Sequence, residues 1–384
     1  MQNSSGVIHA VKFVSLDTSI LANLSQDYFS GQVSVRTRAR DFVSLLEDCD
    51  YIPLICWHQF EELIKHRDDG VARESFGFLR SLPLIAWIRS SSNHSLGGIV
   101  DVLSAECAAV LNDPDADVMR VRQIARDSLL DFGRGEDALA PYEDFWLELR
   151  PFLWDAEESS REIVAISRTH QKVVDISKQT LGSFLTGTPR DQAQVLSIFS
   201  EFQRRLAEQV VAHGDKKIPD ADEVSGKFYA EIFAACRPGS DGRARFDPLD
   251  PLRESGLDVS VLDPKMLMRD VLKLSEFTAQ LQVAHRNFAI DWSSFRNAIN
   301  PDQIPSWLIE SSIRQYGQLR GEHKGSELND RHLACLSPYC DLTFVDRQTM
   351  EDIRRAHSKR SVLKDVMNTV ERVRPYERIK LRGR

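Results

Sequence analysis

Two apolar runs of strand character, more than three hundred residues apart, each end abruptly on an aspartate. Lys12-Phe13-Val14-Ser15-Leu16 leads into Asp17-Thr18-Ser19-Ile20, and Leu342-Thr343-Phe344-Val345 leads into Asp346. An acid so placed stands at the carboxyl end of a strand, where open α/β sheets hold their ligands. If both runs belong to one sheet, the simplest architecture is an α/β sheet split by whatever lies between them.

The segments around the first run support a parallel sheet. Ile20 to Ser25 suits the start of a helix with Thr18 or Ser19 as its cap, and Thr37 to Glu47 repeats Ala39, Phe42, Leu45 and Leu46 at helical spacing. Tyr51 to Trp57 has strand length and passes directly into a helix over His58 to His66, where Phe60, Leu63 and Ile64 share a face. Pro83 to Ile88 suggests a further strand. After Ser90-Ser91-Ser92-Asn93 the character changes, and helical periodicity dominates from about Leu96 to about Arg320, most clearly at Val195, Phe199, Phe202, Leu206 and Val210. Turn clusters interrupt it at Gly214 to Pro219 and through Arg237 to Pro264. Strand character returns only at the end: a helix over Arg331 to Leu336, a turn at Ser337-Pro338-Tyr339, the strand Leu342 to Val345, and a charged helix from Met350 to about Lys359. The expected division is residues 1–92 and 321–384 as two halves of one domain, with 93–320 as a helical insertion.

At 384 residues the chain can bury a sizeable core, and no basic leader with an apolar run, nor a long uncharged apolar stretch, is present. A cytoplasmic protein without membrane association is expected. The six cysteines include no CxxC, and Cys335 with Cys340 lacks a matching Cys or His pair, so reduced core thiols are expected and a structural zinc is not. The net charge of −8 argues against nonspecific coating of nucleic acid. Residues 351–384 nevertheless hold eleven Lys/Arg against five Asp/Glu. This stretch reads first as a solvated, partly disordered terminus and second as a surface for phosphate.

Hard divalent ions such as magnesium and manganese take oxygen ligands, so a site for them needs several carboxylates at one sheet edge. Four positions qualify: Asp17 and Asp346 at strand ends, Glu62 or Glu61 on the helix after the second strand, and Asp330 opening the helix that follows Gly325-Ser326-Glu327-Leu328-Asn329. Singly, each has a simpler explanation as a cap or a solvated helix face.

Together they make the sequence resemble the PIN domain family, metal-dependent ribonucleases that include many bacterial toxins. The family opens with a strand followed by Asp and Thr/Ser, as in Phe13 to Ser19, and sets Glu-Leu on a helix after the second strand, as in Glu62-Leu63. Its third acid starts a helix ahead of a strand that ends in Asp, as Asp330 does sixteen residues before Asp346. The likeness covers about residues 11–90 and 324–355, less than half the chain. Two departures stand out: the insertion of over two hundred residues, and Phe344-Val345-Asp346-Arg347 where the family often has Thr before the acid. The resemblance implies a three-layer PIN-like fold with a central parallel sheet. It implies Asp17, Glu62, Asp330 and Asp346 as catalytic ligands of Mg2+ or Mn2+, supported by Thr18, Ser19 and, in place of Glu62, Glu61. RNA is then the expected substrate ahead of DNA, with Arg347, Arg354, Arg355, Lys359 and Arg360 as candidate contacts to it. A protein partner such as an antitoxin, and self-association, remain open. So do two rival readings: a catalytically silent PIN-like scaffold whose insertion binds protein, and a metal phosphatase of small molecules.

Other signals are weaker. Gly133-Arg134-Gly135-Glu136-Asp137-Ala138 matches a dinucleotide fingerprint by letter, but Gln123 to Phe132 reads as helix where a strand is needed. His58 and His66 read as helical surface residues, and His323 and His332, flanking Asp330, as secondary candidates for proton donation or phosphate contact. Trp307, Leu308, Ile313 and Tyr316 read as helix packing and not as a base-stacking platform.

Overall fold

The computed structural model of the protein describes residues 11–91, 96–173, 176–187, 192–234, 247, 249–318 and 327–381. Six strands form one sheet: β1 (Lys12–Ser15), β2 (Tyr51–Ile55), β3 (Ile85–Ile88), β4 (Leu130–Gly133), β5 (Leu342–Val345) and β6 (Thr369–Arg372). Their order is β4-β3-β2-β1-β5-β6, and every neighbouring pair is parallel except β3 with β4. The protein is thus a mixed α/β chain with a mostly parallel sheet. Parallel strands require covered faces, which is why β5 has no exposed residue. Leu342 and Phe344 join the core shared with Leu21, Leu24 and Phe60, while Thr343 and Val345, pointing the other way along the pleat, are equally buried.

The chain divides into two compact units. The sheet-bearing unit takes in the described residues up to Leu153, Ala298–Gln318, and those from Asn329 onward. Its helices form two packing groups. Thr18–Tyr28, Val33–Asp48, Trp57–Ile64, Asp69–Ser81 and Gly135–Leu139 make one, and Ile99–Asn112, Val118–Leu129, Pro305–Tyr316, Arg347–Lys359 and Leu363–Val366 make the other. Trp307 is buried in the second group, as packing. A buried polar tie also runs through this group: Glu106 accepts from the Ser306 amide at 3.0 Å, the Ser306 hydroxyl at 2.5 Å and the Tyr339 hydroxyl at 2.6 Å.

The second unit comprises Trp154–Asn297 with Glu327 and Leu328, and its described part is helical apart from the isolated bridge Thr180↔Leu267. Gln192–His213 packs on Ala221–Ala234, burying Leu206, Val210 and Tyr229 with Ala165. A second cluster gathers Leu181, Leu252, Leu257, Leu262, Met268 and Val271. Of the periodic stripe, the side chains of Val195 and Phe199 lie outside the described residues, as do Cys236 and His323.

Several local expectations need correction. Asp17 itself, not Thr18 or Ser19, caps the first helix. A helix over Asp69–Ser81 stands where no element was expected. Residues 96–153 and 298–318, expected in the insertion, belong to the sheet-bearing unit and bring β4 with them. The basic C-terminal stretch is also part of the fold. Thr369–Arg372 pairs along β5, and Tyr376 is buried with its hydroxyl 2.6 Å from Asp27. An edge strand keeps charged side chains outward, which is why this segment looks like a solvated tail.

Gly133-Arg134-Gly135 does follow a strand, since the helix before it ends at Leu129 and β4 begins at Leu130. Gly135 nevertheless serves packing. Its amide donates to Leu82 O at 2.9 Å, and a Cβ there would lie 1.9 Å from the Leu79 carbonyl oxygen. Backbone cannot yield cheaply, so Gly135→Ala is expected to cost about 3 kcal/mol. An unchanged urea midpoint for this variant would refute the packing account.

Candidate active site

β1 and β5 are neighbours, with Val14 opposite Leu342 and Ser15 opposite Thr343. Asp341 helps to fix this register by accepting from the Phe13 amide at 2.8 Å while its own amide donates to Phe13 O at 2.8 Å. From this pair the sheet grows outward in both directions, β1 to β2 on one side and β5 to β6 on the other. That is a topological switch point, and its crevice opens beyond the carboxyl ends of the two strands. Asp17 and Asp346 sit at those two ends. Each caps the helix that follows: Asp17 accepts from Ser19 N at 2.8 Å and Ser19 Oγ at 2.5 Å, and Asp346 accepts from Thr349 N at 2.6 Å.

Glu62 reaches the same crevice from helix Trp57–Ile64. Gln59 aims this helix, accepting from Cys56 N at 2.9 Å and donating to Leu16 O at 2.6 Å, which ties the helix start to the end of β1. Glu62 lies one turn further along and accepts from Asn329 Nδ2 at 3.1 Å. A small cleft of about 10 Å3, room for one water or ion, is lined by Thr18, His58, Glu62, Asn329 and Asp330 among others. Glu62, and not Glu61, faces it.

The electrostatics record this crowding. Asp17 is 7% exposed, and burial above all holds its carboxyl above the ordinary range. The Ser19 bonds oppose that shift, and the charges of Glu62 and Asp346 add to it. Glu62 and Asp346 therefore each lie within electrostatic reach of Asp17, and Glu62 also shares a cleft with Asp330.

The ring of His58, which lines the cleft, meets that of His332 with centroids 4.4 Å apart and a tilt of 35°. His58 Nε2 accepts from the Ile99 amide at 3.3 Å, and burial pulls its pKa down to about 4. His332, half-buried, titrates well below the usual imidazole range because its ring is desolvated and His58 lies beside it. Both rings are neutral at pH 7. They pack the two helices that carry Glu62 and Asp330. His66 lies past its helix end, accepting from Asp68 N at 3.2 Å.

The donor set is all carboxylate oxygen, which suits a hard divalent ion. As the side chains stand, with their oxygens engaged by Ser19, Thr349 and Asn329, no three acids, cysteines or histidines among the described residues are close enough to share one ion. Fit is therefore one of residue type and placement at the crevice, and the carboxylates would have to turn from these hydrogen bonds to meet a metal. Of the basic candidates, Arg347 pairs with Glu351 at 3.1 Å and Arg360 with Asp302 at 3.2 Å. Arg354, Arg355 and Lys359 are exposed on helix Arg347–Lys359.

Two positioning residues escaped the sequence reading. Gln59 left a trace, since Cys56-x-x-Gln59 has capping-box spacing with a thiol at the cap. Asn329 left none, because its partner Glu62 is 267 residues away. Among the described residues, no helix is long and apolar enough to cross a membrane. No protein-family model, curated protein or solved structure matches the chain.

Proposed function

We propose that the protein is a PIN-like, metal-dependent nuclease that hydrolyses phosphodiester bonds, with RNA as its substrate ahead of DNA. One observation carries the reading: Asp17 and Asp346 flank a switch point at the carboxyl ends of adjacent parallel strands, with Glu62 in electrostatic range. Capping alone does not require a third acid beside them. Asp17, Glu62, Asp330 and Asp346 would hold the ion, which when bound activates a water and stabilises the leaving oxygen.

The chain's own residues have separate tasks. Ser19, bonded to Asp17, and Asn329, bonded to Glu62, hold these two carboxylates in the arrangement from which they would turn to meet the ion. Gln59 keeps helix Trp57–Ile64 at the end of β1, so Glu62 stays at the crevice.

The test is cleavage of labelled RNA and single-stranded DNA by the full chain with manganese, with EDTA, and with Asp17→Asn or Asp346→Asn. Metal-dependent cleavage lost in both variants is the expected result. Binding without cleavage under every condition would favour a silent scaffold instead.

A further inference from the structure

Helix Trp57–Ile64, which brings Glu62 to the crevice, is eight residues long. A helix so short has little stability of its own, so its direction is set by whatever holds its two ends. Gln59 holds the first end, through Leu16 O. The second end is held by Arg150, an arginine only 3% exposed and 86 residues further along the chain than Ile64. Its Nε donates to Ile64 O at 2.9 Å, and one Nη donates to His66 O and, at 3.4 Å, to Arg67 O. The other Nη pairs with Asp69, whose side chain is exposed. Ile64 is the last residue of the helix, so its carbonyl has no amide partner within it. The guanidinium supplies that donor at the helix end where positive charge is favoured.

Arg150 is itself fixed. Trp146, one turn earlier on helix Trp146–Val173, stacks on Phe76 with centroids 4.9 Å apart, and Leu149 and Leu153 join the same core. A guanidinium is costly to desolvate, and a core that needs only bulk is filled as well by an apolar side chain. What an apolar side chain cannot supply is a planar fork of donors aimed at a helix end. We propose that Arg150 is a positioning residue for Glu62: with Gln59 at one end of the helix and Arg150 at the other, the Glu62 carboxylate is kept at the crevice. The proposal rests on the nuclease reading in taking Glu62 as an ion ligand, and it adds an anchor that acts through the helix backbone.

The experiment titrates the full chain with manganese alone, for the parent, Arg150→Ala, Arg150→Lys, Glu62→Gln and the double variants, beside cleavage of labelled RNA. Arg150→Ala is expected to raise the manganese Kd about tenfold, the usual size of effect for a residue that orients a ligand. Arg150→Lys should fall between, because one ammonium cannot replace the fork. In the Glu62→Gln background neither Arg150 substitution should move Kd further, since the carboxylate they act through is gone. An unchanged Kd, or the same loss of affinity in both backgrounds, would make Arg150 a stabilising residue only; the proposal is then overturned, while a parent that binds manganese and cleaves keeps the nuclease reading. If Arg150→Ala does not fold, Arg150→Lys decides by the same comparison. A parent that binds manganese, shows the Glu62-dependent loss and cleaves nothing keeps the anchor and removes the nuclease reading. A parent that binds no manganese overturns both.

Discussion

Asp17→Asn is expected to erase the rise in melting temperature that manganese gives the parent, and with it metal-dependent cleavage. The substitution isolates charge. Asparagine has the shape of aspartate and is itself a good cap, so the Ser19 amide keeps its acceptor. What disappears is a buried negative charge that Glu62 and Asp346 already oppose. Without metal, the variant should therefore melt at or above the parent. With metal at a hundredfold excess over Kd, the parent gains about 2.7 kcal/mol and the variant gains little. Thermal melts of both proteins with manganese and with EDTA make the comparison. A parent insensitive to manganese, or a variant that keeps the full shift, would sink the four-acid site.

The parts of the fold that the sequence discloses are those with local causes. β5 is legible residue for residue because Leu342, Phe344 and Val345 are apolar, Thr343 is β-branched, and the run is bounded by Asp341 and Asp346. The helix that follows is legible from its face of Met350, Ile353 and Ala356, although its true start at Arg347 is set by the Asp346 cap. β4 is hidden because Leu130-Asp131-Phe132-Gly133 continues the text of a helix, and only pairing with Ile85 to Ile88 makes it a strand. β6 is hidden for a related reason. Thr369 to Arg372 has one partly buried side chain, so its stability comes from the ladder to β5, which a pattern of hydrophobicity does not report.

The candidate site divides in the same way. Asp17 and Asp346 are visible because strand ends are visible. Glu62 could be separated from Glu61 only by the angle of its helix, and that angle is set by Gln59 reaching Leu16 O across 43 residues of sequence. Asn329 and the His58–His332 contact depend on two helices meeting from opposite ends of the chain, information that lies in tertiary packing alone.

Glu106→Gln is expected to make the protein more stable than the parent at pH 8 and little different from it at pH 4.5. Glu106 is fully buried, and burial pushes its pKa up to about 7 despite the bonds from Ser306 and Tyr339. A carboxyl whose folded pKa exceeds its unfolded value of 4.5 contributes full stability below that value and loses it as pH rises through 7. At 1.36 kcal/mol per unit, the loss is about 3 kcal/mol. His58 acts in the opposite sense. Its folded pKa of about 4 lies below the usual 6.5, so its contribution is present above 6.5 and is lost as pH falls through 4. Between pH 4.5 and 6.5 the Glu106 slope opposes those of His58 and His332, so the parent's stability should rise less steeply with pH than that of the variant. Removing only the Glu106 charge exposes the histidine slope, so the stability of Glu106→Gln should climb through that window and then level. Urea titrations of both proteins from pH 4.5 to 8 read the difference directly. A gap between them that does not change with pH would mean that Glu106 does not titrate there. Glu106→Leu separates charge from hydrogen bonding, since it leaves the Ser306 and Tyr339 hydroxyls unpaired at a cost of about 1–3 kcal/mol each. That variant should be less stable than the parent at pH 4.5, where Glu106→Gln is not.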